Sequence, residues 1–357
     1  MDPLILKALV ACVPVVACLV VFVAMDVFKL MKPSEILELL AGGGTLAAVA
    51  YFANGGLMDN FPIQFDIYTQ AGAPIVEETL KGLLVIGLFA FNRVGYLVDA
   101  AITGFAIGAG FSLVENLFFL RHFADANMGV WLVRGFGTAI MHGGATAILA
   151  ALSQLLFAPR LRLQADRFRL NPLLFLPGLA VAIALHAGFN HFTHAPIAAM
   201  ATMAAAVPAV LFSIFSIGET YAHRWLAQDQ AAHQRLLADM QSGAFAASDE
   251  GQAIAALAER LGPAAGDLND YVRIHVELVA RAEATLLALE AHEGTGLDTH
   301  IRDSFERLHA LEKALGQTVV MAVRQHLRFS RNDLWEMHEL EEDTHGKLAA
   351  PKGADAG

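Results

Sequence analysis

The chain has 357 residues, of which 56% are hydrophobic, with a mean hydropathy of +0.49 and a formal net charge of −11. So apolar a composition at this length excludes an ordinary soluble enzyme, and the acidity argues against nucleic acid or an anionic lipid surface as a partner. The apolar residues gather in long blocks up to about residue 219, and the rest reads as a soluble helical protein.

Taken in chain order, seven blocks reach the roughly 20 residues needed to cross bilayer hydrocarbon. They are residues 4–28, 36–58, 70–91, 98–120, 129–157, 172–193 and 196–219. The first is too long for the apolar core of a signal peptide, has only Lys7 before it, and lacks a clear cleavage site, so it reads as a membrane anchor. Cys12 and Cys18, the only cysteines, lie six residues apart in it and offer neither a bridge nor a metal clip. The sixth and seventh blocks are separated by little more than His194 to Pro196, which allows a tight hairpin or one bent helix. The fold class is therefore all-α. A polytopic membrane domain with about seven transmembrane helices covers residues 1–220, an acidic helical domain covers 221–345, and a disordered tail covers 346–357.

Lys and Arg gather on the cytoplasmic side of membrane helices. With seven spans, one set of connections holds Lys29, Lys32, Arg93, Arg160, Arg162, Arg167, Arg169 and Arg224, and the other holds only Lys7 and Arg121. That bias predicts an outside N terminus and a cytoplasmic C terminus. In this orientation Glu77 lies about seven residues, roughly 10 Å, below the outer end of its helix. Glu115 and His186 fall at comparable depths, and His142 falls nearer the midplane, so all four belong to the outer half of the bilayer.

These residues are the anomaly of the apolar region. A charge at the bilayer centre costs about 2.5–3.5 kcal/mol on insertion scales, so an ionisable residue there marks a functional site by default. In A-P-I-V-E-E-T-L-K-G, Lys81 follows Glu77 by four residues and Glu78 by three, so both carboxylates can face one ammonium. Adjacent carboxylates can share a proton, as a general base that becomes an acid requires. Pro74 leaves a plainer reading open, with both glutamates wet in the first turns of a helix. In G-F-S-L-V-E-N-L-F-F-L, Glu115 and Asn116 follow Phe111. Gly104 and Gly108 earlier in that segment read as a close helix contact. His142 stands among small residues in A-I-M-H-G-G-A-T-A. In I-A-L-H-A-G-F-N-H-F, His186 and Asn190 share a helix face and His191 points away. Each set, taken alone, also suits interhelical hydrogen bonding.

Together, E-E-x-x-K, F-x-x-x-E-N, a His and H-x-x-x-N, in that order and each on its own apolar segment, resemble the PrsW family of glutamic-type intramembrane proteases. These are distant relatives of the CAAX prenyl endopeptidases and of the APH scaffold subunit of γ-secretase. The resemblance covers about residues 35–220. It implies peptide-bond hydrolysis on single-pass membrane proteins in a bacterial inner membrane, with an anti-sigma factor as the substrate type. It also implies catalytic roles for Glu77, Glu78, Glu115, His142, His186 and Asn190, with Lys81, Phe111 and Asn116 in support; His191, outside the pattern, is a further supporting candidate. No cofactor is expected, although Glu78, Glu115, His142 and His186 would suffice for a zinc site. A non-catalytic scaffold or a proton-coupled transporter would use similar buried residues.

Residues 221–357 hold 13 Lys and Arg against 22 Asp and Glu. Helical spacing appears over 221–242, 249–261, 267–292, 298–329 and 331–345, with breaks at Ser242-Gly243, Gly262-Pro263 and Gly294-Thr295-Gly296. This predicts a small cytoplasmic helical bundle without a nucleotide loop or catalytic cluster, and a possible site of homo-oligomer formation. His275, His309 and His338 read as packing or surface residues.

Overall fold

The computed structural model describes residues 2–26, 31–161, 170–290, 299–327 and 329–349. Lys29, Arg162, Arg167 and Arg169, used for the orientation, lie outside the described residues, as do residues 350–357 of the expected tail. The described residues are helical and contain no strand. The chain divides into two compact units, residues 1–157 with 170–220, and residues 158–169 with 221–357.

The first unit begins with α1 (Pro3–Met25), where Asp2 accepts a hydrogen bond from the Leu4 N–H and Pro3 needs none. Then come α2 (Pro33–Asn60), the short α3 (Phe65–Ile67), a π turn at Tyr68–Gly72 and α4 (Ala73–Ala90). Next are α5 (Leu97–His122), α6 (Met128–Val133), a second π turn at Arg134–Thr138 and α7 (Ala139–Leu161). The unit closes with a 3₁₀ turn at Pro172–Phe175, α8 (Leu176–His191) and the first part of α9 (Pro196–Ser242).

Among the described residues, six stretches are long and apolar enough to span a bilayer. The region expected as the third span is not among them, because α4 carries Glu77, Glu78 and Lys81 within 18 residues. The sixth and seventh blocks form separate helices, α8 and α9, with Phe192–Ala195 turning between them. The most apolar window of α9 is only 11% buried within the protein. Phe52, Phe91, Ile197 and Phe212 are likewise exposed. An apolar surface of this extent needs a nonpolar surround, and the chain is a multi-pass membrane protein.

Helix α5 is the centre of the unit. Its residues from Leu97 to Ser112 are all buried, and it packs with Val15, Leu19 and Phe22 of α1 and Leu211 and Phe215 of α9. Glycines allow this. A methyl at Gly104 would strike the Thr146 carbonyl, and one at Gly108 the His142 carbonyl, so α5 lies directly on the backbone of α7. Gly43 of α2 and Gly110 of α5 make the corresponding contact on the other side. Gly108→Val is expected to destabilise the protein by about 1–3 kcal/mol or more, as an overpacked core does. It should also displace His142, and thermal unfolding in detergent checks the first effect.

The second unit contains the rest of α9, α10 (Asp249–Leu261), α11 (Ala265–Glu290), α12 (Thr299–Leu315), α13 (Gln317–His326) and α14 (Arg331–Ala349). The breaks at Gly243 and Gly262 have positive φ, as expected of residues that leave a helix. Two details differ from the sequence reading. The helix expected over 298–329 is split by Gly316, whose φ of 81° only glycine adopts readily. Helix α14 also continues through Ala349, beyond residue 345. Leu268, Tyr271, Val276, Val279, Phe305, Leu308 and Phe329 form the core.

His275 is a packing residue. It is fully buried, stacks on Phe329 at 4.5 Å, and neither ring nitrogen has a hydrogen-bond partner. Burial, aided by the positive charge of Arg324 and by His233, pushes its pKa from 6.5 down to about 3. Between those values the unfolded chain binds a proton that the folded chain refuses, so stability is lost as pH falls through the window. The stability difference between wild type and His275→Phe should therefore change by up to about 1.4 kcal/mol per pH unit between about pH 6 and 4. Chemical denaturation across that range checks it, and a pH-independent difference would contradict it. His309 and His338 are surface residues, paired with Glu341 at 2.7 Å and Glu342 at 3.2 Å.

Candidate active site

The polar anomalies of α4, α5, α7 and α8 meet in one place inside the first unit. Glu78 and Lys81 are fully buried, and His142, His186 and Glu77 nearly so. Pro74 does not begin a free helix here, because α4 continues backbone geometry from the π turn before it, with the Ala73 N–H bonded to the Tyr68 carbonyl. The glutamates therefore sit mid-helix, without a wet first turn to hold them.

Glu78 organises the cluster. Its Oε1 accepts from Lys81 Nζ at 2.6 Å and from His186 Nδ1 at 2.8 Å. Lys81 Nζ also lies 3.0 Å from His142 Nδ1 and 4.5 Å from the centre of the Phe111 ring. These contacts fix the tautomers. An ammonium only donates, so His142 Nδ1 accepts, and its Nε2 carries the hydrogen. That nitrogen faces Glu115 Oε2 at 3.2 Å. His186 is reversed, because Nδ1 donates to Glu78 and Nε2 is left as a bare lone pair. Glu77 Oε2 lies 3.9 Å from that lone pair. This is too long for a direct hydrogen bond and short enough for one bridging oxygen. The two imidazoles are edge to face, 4.6 Å apart.

Three contributors escape the sequence reading. Arg134, in the second π turn, brings Nη2 within 3.1 Å of Glu115 Oε2, and its Nε donates to Asn116 Oδ1 at 2.7 Å. Asn54 of α2 donates to Glu77 Oε1 at 3.1 Å and accepts from the Tyr68 hydroxyl at 2.7 Å. Both π turns thus deliver a polar side chain, a common use of that irregularity. Arg134 was legible on the rule that exposed Glu77, since it is a charge inside the apolar block 129–157. Asn54 and Tyr68 carry no charge and give no such signal.

The remaining sequence candidates hold the frame. Asn116 Nδ2 donates to the Ala11 carbonyl at 2.8 Å, joining α5 to α1. Asn190 Nδ2 donates to the Thr69 carbonyl at 2.9 Å, and His191 Nδ1 lies 3.1 Å from Gln70 Oε1. The second half of H-x-x-x-N therefore ties α8 to the first π turn. Asn54→Leu would remove the hydrogen-bond donor that holds Glu77 Oε1 and is expected to lower turnover by about tenfold, the order of one hydrogen bond of about 1 kcal/mol or slightly more. Steady-state kinetics check it.

Three carboxylates, Glu77, Glu78 and Glu115, face two fixed cations, Lys81 and Arg134. The cluster is neutral only with one further proton. Glu77 Oε2, Glu78 Oε2, Glu115 Oε2, Arg134 Nη2 and His142 Nε2 are all buried without a hydrogen bond. The Glu115 contacts fall within ion-pair range but off the hydrogen-bond directions, and the Glu115 side chain as a whole is partly exposed while its Oε2 atom is buried. Buried polar atoms left unpaired are costly, and their concentration in one cluster marks it as a functional site.

The same convergence bears on metal binding. Glu77, His142 and His186 each offer a ligand atom, all within 4.8 Å of one another. This group differs from the four residues read from the sequence, because the Glu78 Oε1 lone pairs are already taken by Lys81 and His186. In number and type the three donors fit a divalent cation. Lys81 opposes it, because donating to His142 Nδ1 leaves the ring's one hydrogen on Nε2, so neither nitrogen offers a free lone pair.

No curated protein and no solved structure matches the chain. Residues 32–217, just over half of the chain and including every residue of the cluster, match the family model described as PrsW family intramembrane metalloprotease. The chain belongs to the PrsW family and is a membrane-embedded protease.

Proposed function

We propose that the chain is an endopeptidase that cleaves single-pass membrane proteins with a water activated by Glu77 and His186. The observation that carries this reading is the 3.9 Å separation of Glu77 Oε2, buried without a hydrogen bond, and His186 Nε2, the ring nitrogen turned away from Glu78. A water between them donates one hydrogen to each, which leaves an oxygen lone pair directed at a peptide carbonyl. As the oxygen attacks, Glu77 takes a proton and then returns it to the leaving amine. Glu78 keeps His186 in the tautomer whose Nε2 is free, and Lys81 neutralises Glu78. The His142 Nε2–H, aimed by Lys81 and Glu115, is the donor for the oxyanion. Asn190, engaged with Thr69, is assigned to positioning α8. The outer-half depth and an anti-sigma factor as substrate remain part of this reading.

A metal-dependent version is favoured by the family description and by the donor group Glu77, His142 and His186. When bound there, a divalent ion would polarise the scissile carbonyl and acidify the water. In that version Glu78 still orients His186, and Lys81 gives up its contact with His142 Nδ1.

The test is proteolysis in liposomes by the purified chain against a panel of single-pass substrates, with new termini mapped by mass spectrometry before and after chelation. Cleavage in or beside the apolar segment that survives chelation supports glutamate activation. Cleavage lost to chelation and restored by Zn²⁺ supports the metal version. Cleavage confined to soluble loops would contradict both.

A further inference from the structure

We propose that the C-terminal helical unit carries a divalent-cation site of its own, of the zinc class, formed by His233, Glu283 and Asp333. The three residues come from α9, α11 and α14, and their ligand atoms all lie within 4.8 Å of one another. His233 Nδ1 is 2.8 Å from Glu283 Oε1, and its Nε2 is 4.0 Å from Asp333 Oδ2. Both nitrogens of one imidazole thus face carboxylates from two different helices.

The surroundings favour an ion. Glu283 has no exposed surface, and its Oε2 is buried with no hydrogen-bond partner. Asp333 is also buried, and its position is set by a capping box. The Ser330 N–H donates to Asp333 Oδ2 at 2.7 Å, and the Asp333 N–H donates to Ser330 Oγ at 3.0 Å. Its carboxylate is therefore held in place before any ligand arrives. His233 is the most exposed member, with 14% of its side chain accessible, which gives an ion a way in.

Electrostatics point the same way. Asp229 adds its charge beside Glu283, Asp333 and His233. Two buried carboxylates and a nearby aspartate outweigh one imidazole, so a cation would relieve the excess negative charge. One nitrogen and two oxygen donors suit zinc and neighbouring first-row ions. Such an ion would pin α9, α11 and α14 together. The three residues are about 50 positions apart, so no local sequence spacing betrays the site.

The experiment uses the full chain in detergent, stripped with a chelator and equilibrated with buffered Zn²⁺, with zinc counted per chain by elemental analysis. Glu283→Gln and His233→Gln should each retain one equivalent fewer than wild type. His186→Ala, which disables the membrane cluster, should keep the equivalent assigned here. In the His186→Ala background, Co²⁺ should give visible absorption that Glu283→Gln abolishes. Equal zinc in wild type and Glu283→Gln would overturn the proposal, as would no zinc retained by wild type. Should Glu283→Gln fail to fold, Co²⁺ titration of His186→Ala decides alone, and absence of absorption there counts against the site.

Discussion

Glu77→Gln is expected to lower turnover of a cleaved substrate by roughly 10²–10⁴-fold, the usual contribution of a general base. Its melting temperature should stay close to that of wild type. The reason lies in the different bonding of two adjacent carboxylates. Glu77 makes one hydrogen bond, from Asn54 to Oε1, which the amide oxygen of a glutamine can also accept. Its Oε2 holds no structural bond, so the substitution removes a proton acceptor and little else. Turnover measured beside a detergent melting curve checks both halves. Wild-type turnover in the folded variant would remove Glu77 from the chemistry.

Glu78→Gln should behave differently, with stability lost first. Lys81 is fully buried, and Glu78 is its ion-pair partner at 2.6 Å. Removing one member of a buried pair leaves an uncompensated charge and typically costs about 3–5 kcal/mol. The variant should unfold at markedly lower temperature or fail to accumulate. The double variant Glu78→Gln with Lys81→Met removes both charges and should recover much of that stability. It should remain inactive, because His186 then loses the carboxylate that sets its tautomer. Inactivity in a restabilised protein separates the orienting role of the Glu78–Lys81 pair from its structural one. Recovery of both stability and activity would show that the pair serves packing alone.

Much of the site is legible in the sequence because a bilayer makes charge conspicuous. Glu77, Glu78, Lys81, Glu115, His142 and His186 stand out from apolar neighbours, and burial brings them together because none can face lipid cheaply. The division of labour is not legible. Which glutamate is free depends on whether Lys81 and His186 turn toward Oε1 of Glu78, and no spacing rule distinguishes i,i+3 from i,i+4 at that level. Asn190 shares a face with His186, as the spacing says, yet its amide is bound to a carbonyl of the π turn. Such turns have no sequence signature. The close packing of α5 was readable from Gly104 and Gly108. The split at Gly316 was not, since a glycine inside amphipathic spacing is compatible with a continuous helix until its φ is known. In the second unit, His233, Glu283 and Asp333 lie among many polar residues, where acids and histidines are ordinary.

The central claim is that Glu77 and His186 act on one water. A double-variant cycle in turnover tests it most directly, comparing wild type, Glu77→Gln, His186→Ala and the combination on one mapped cleavage site, each checked for folding. Residues that act as a unit are far from additive, and the combination should be no slower than the slower single variant within about tenfold. Multiplicative losses would mean that the two residues serve separate steps and would contradict the account.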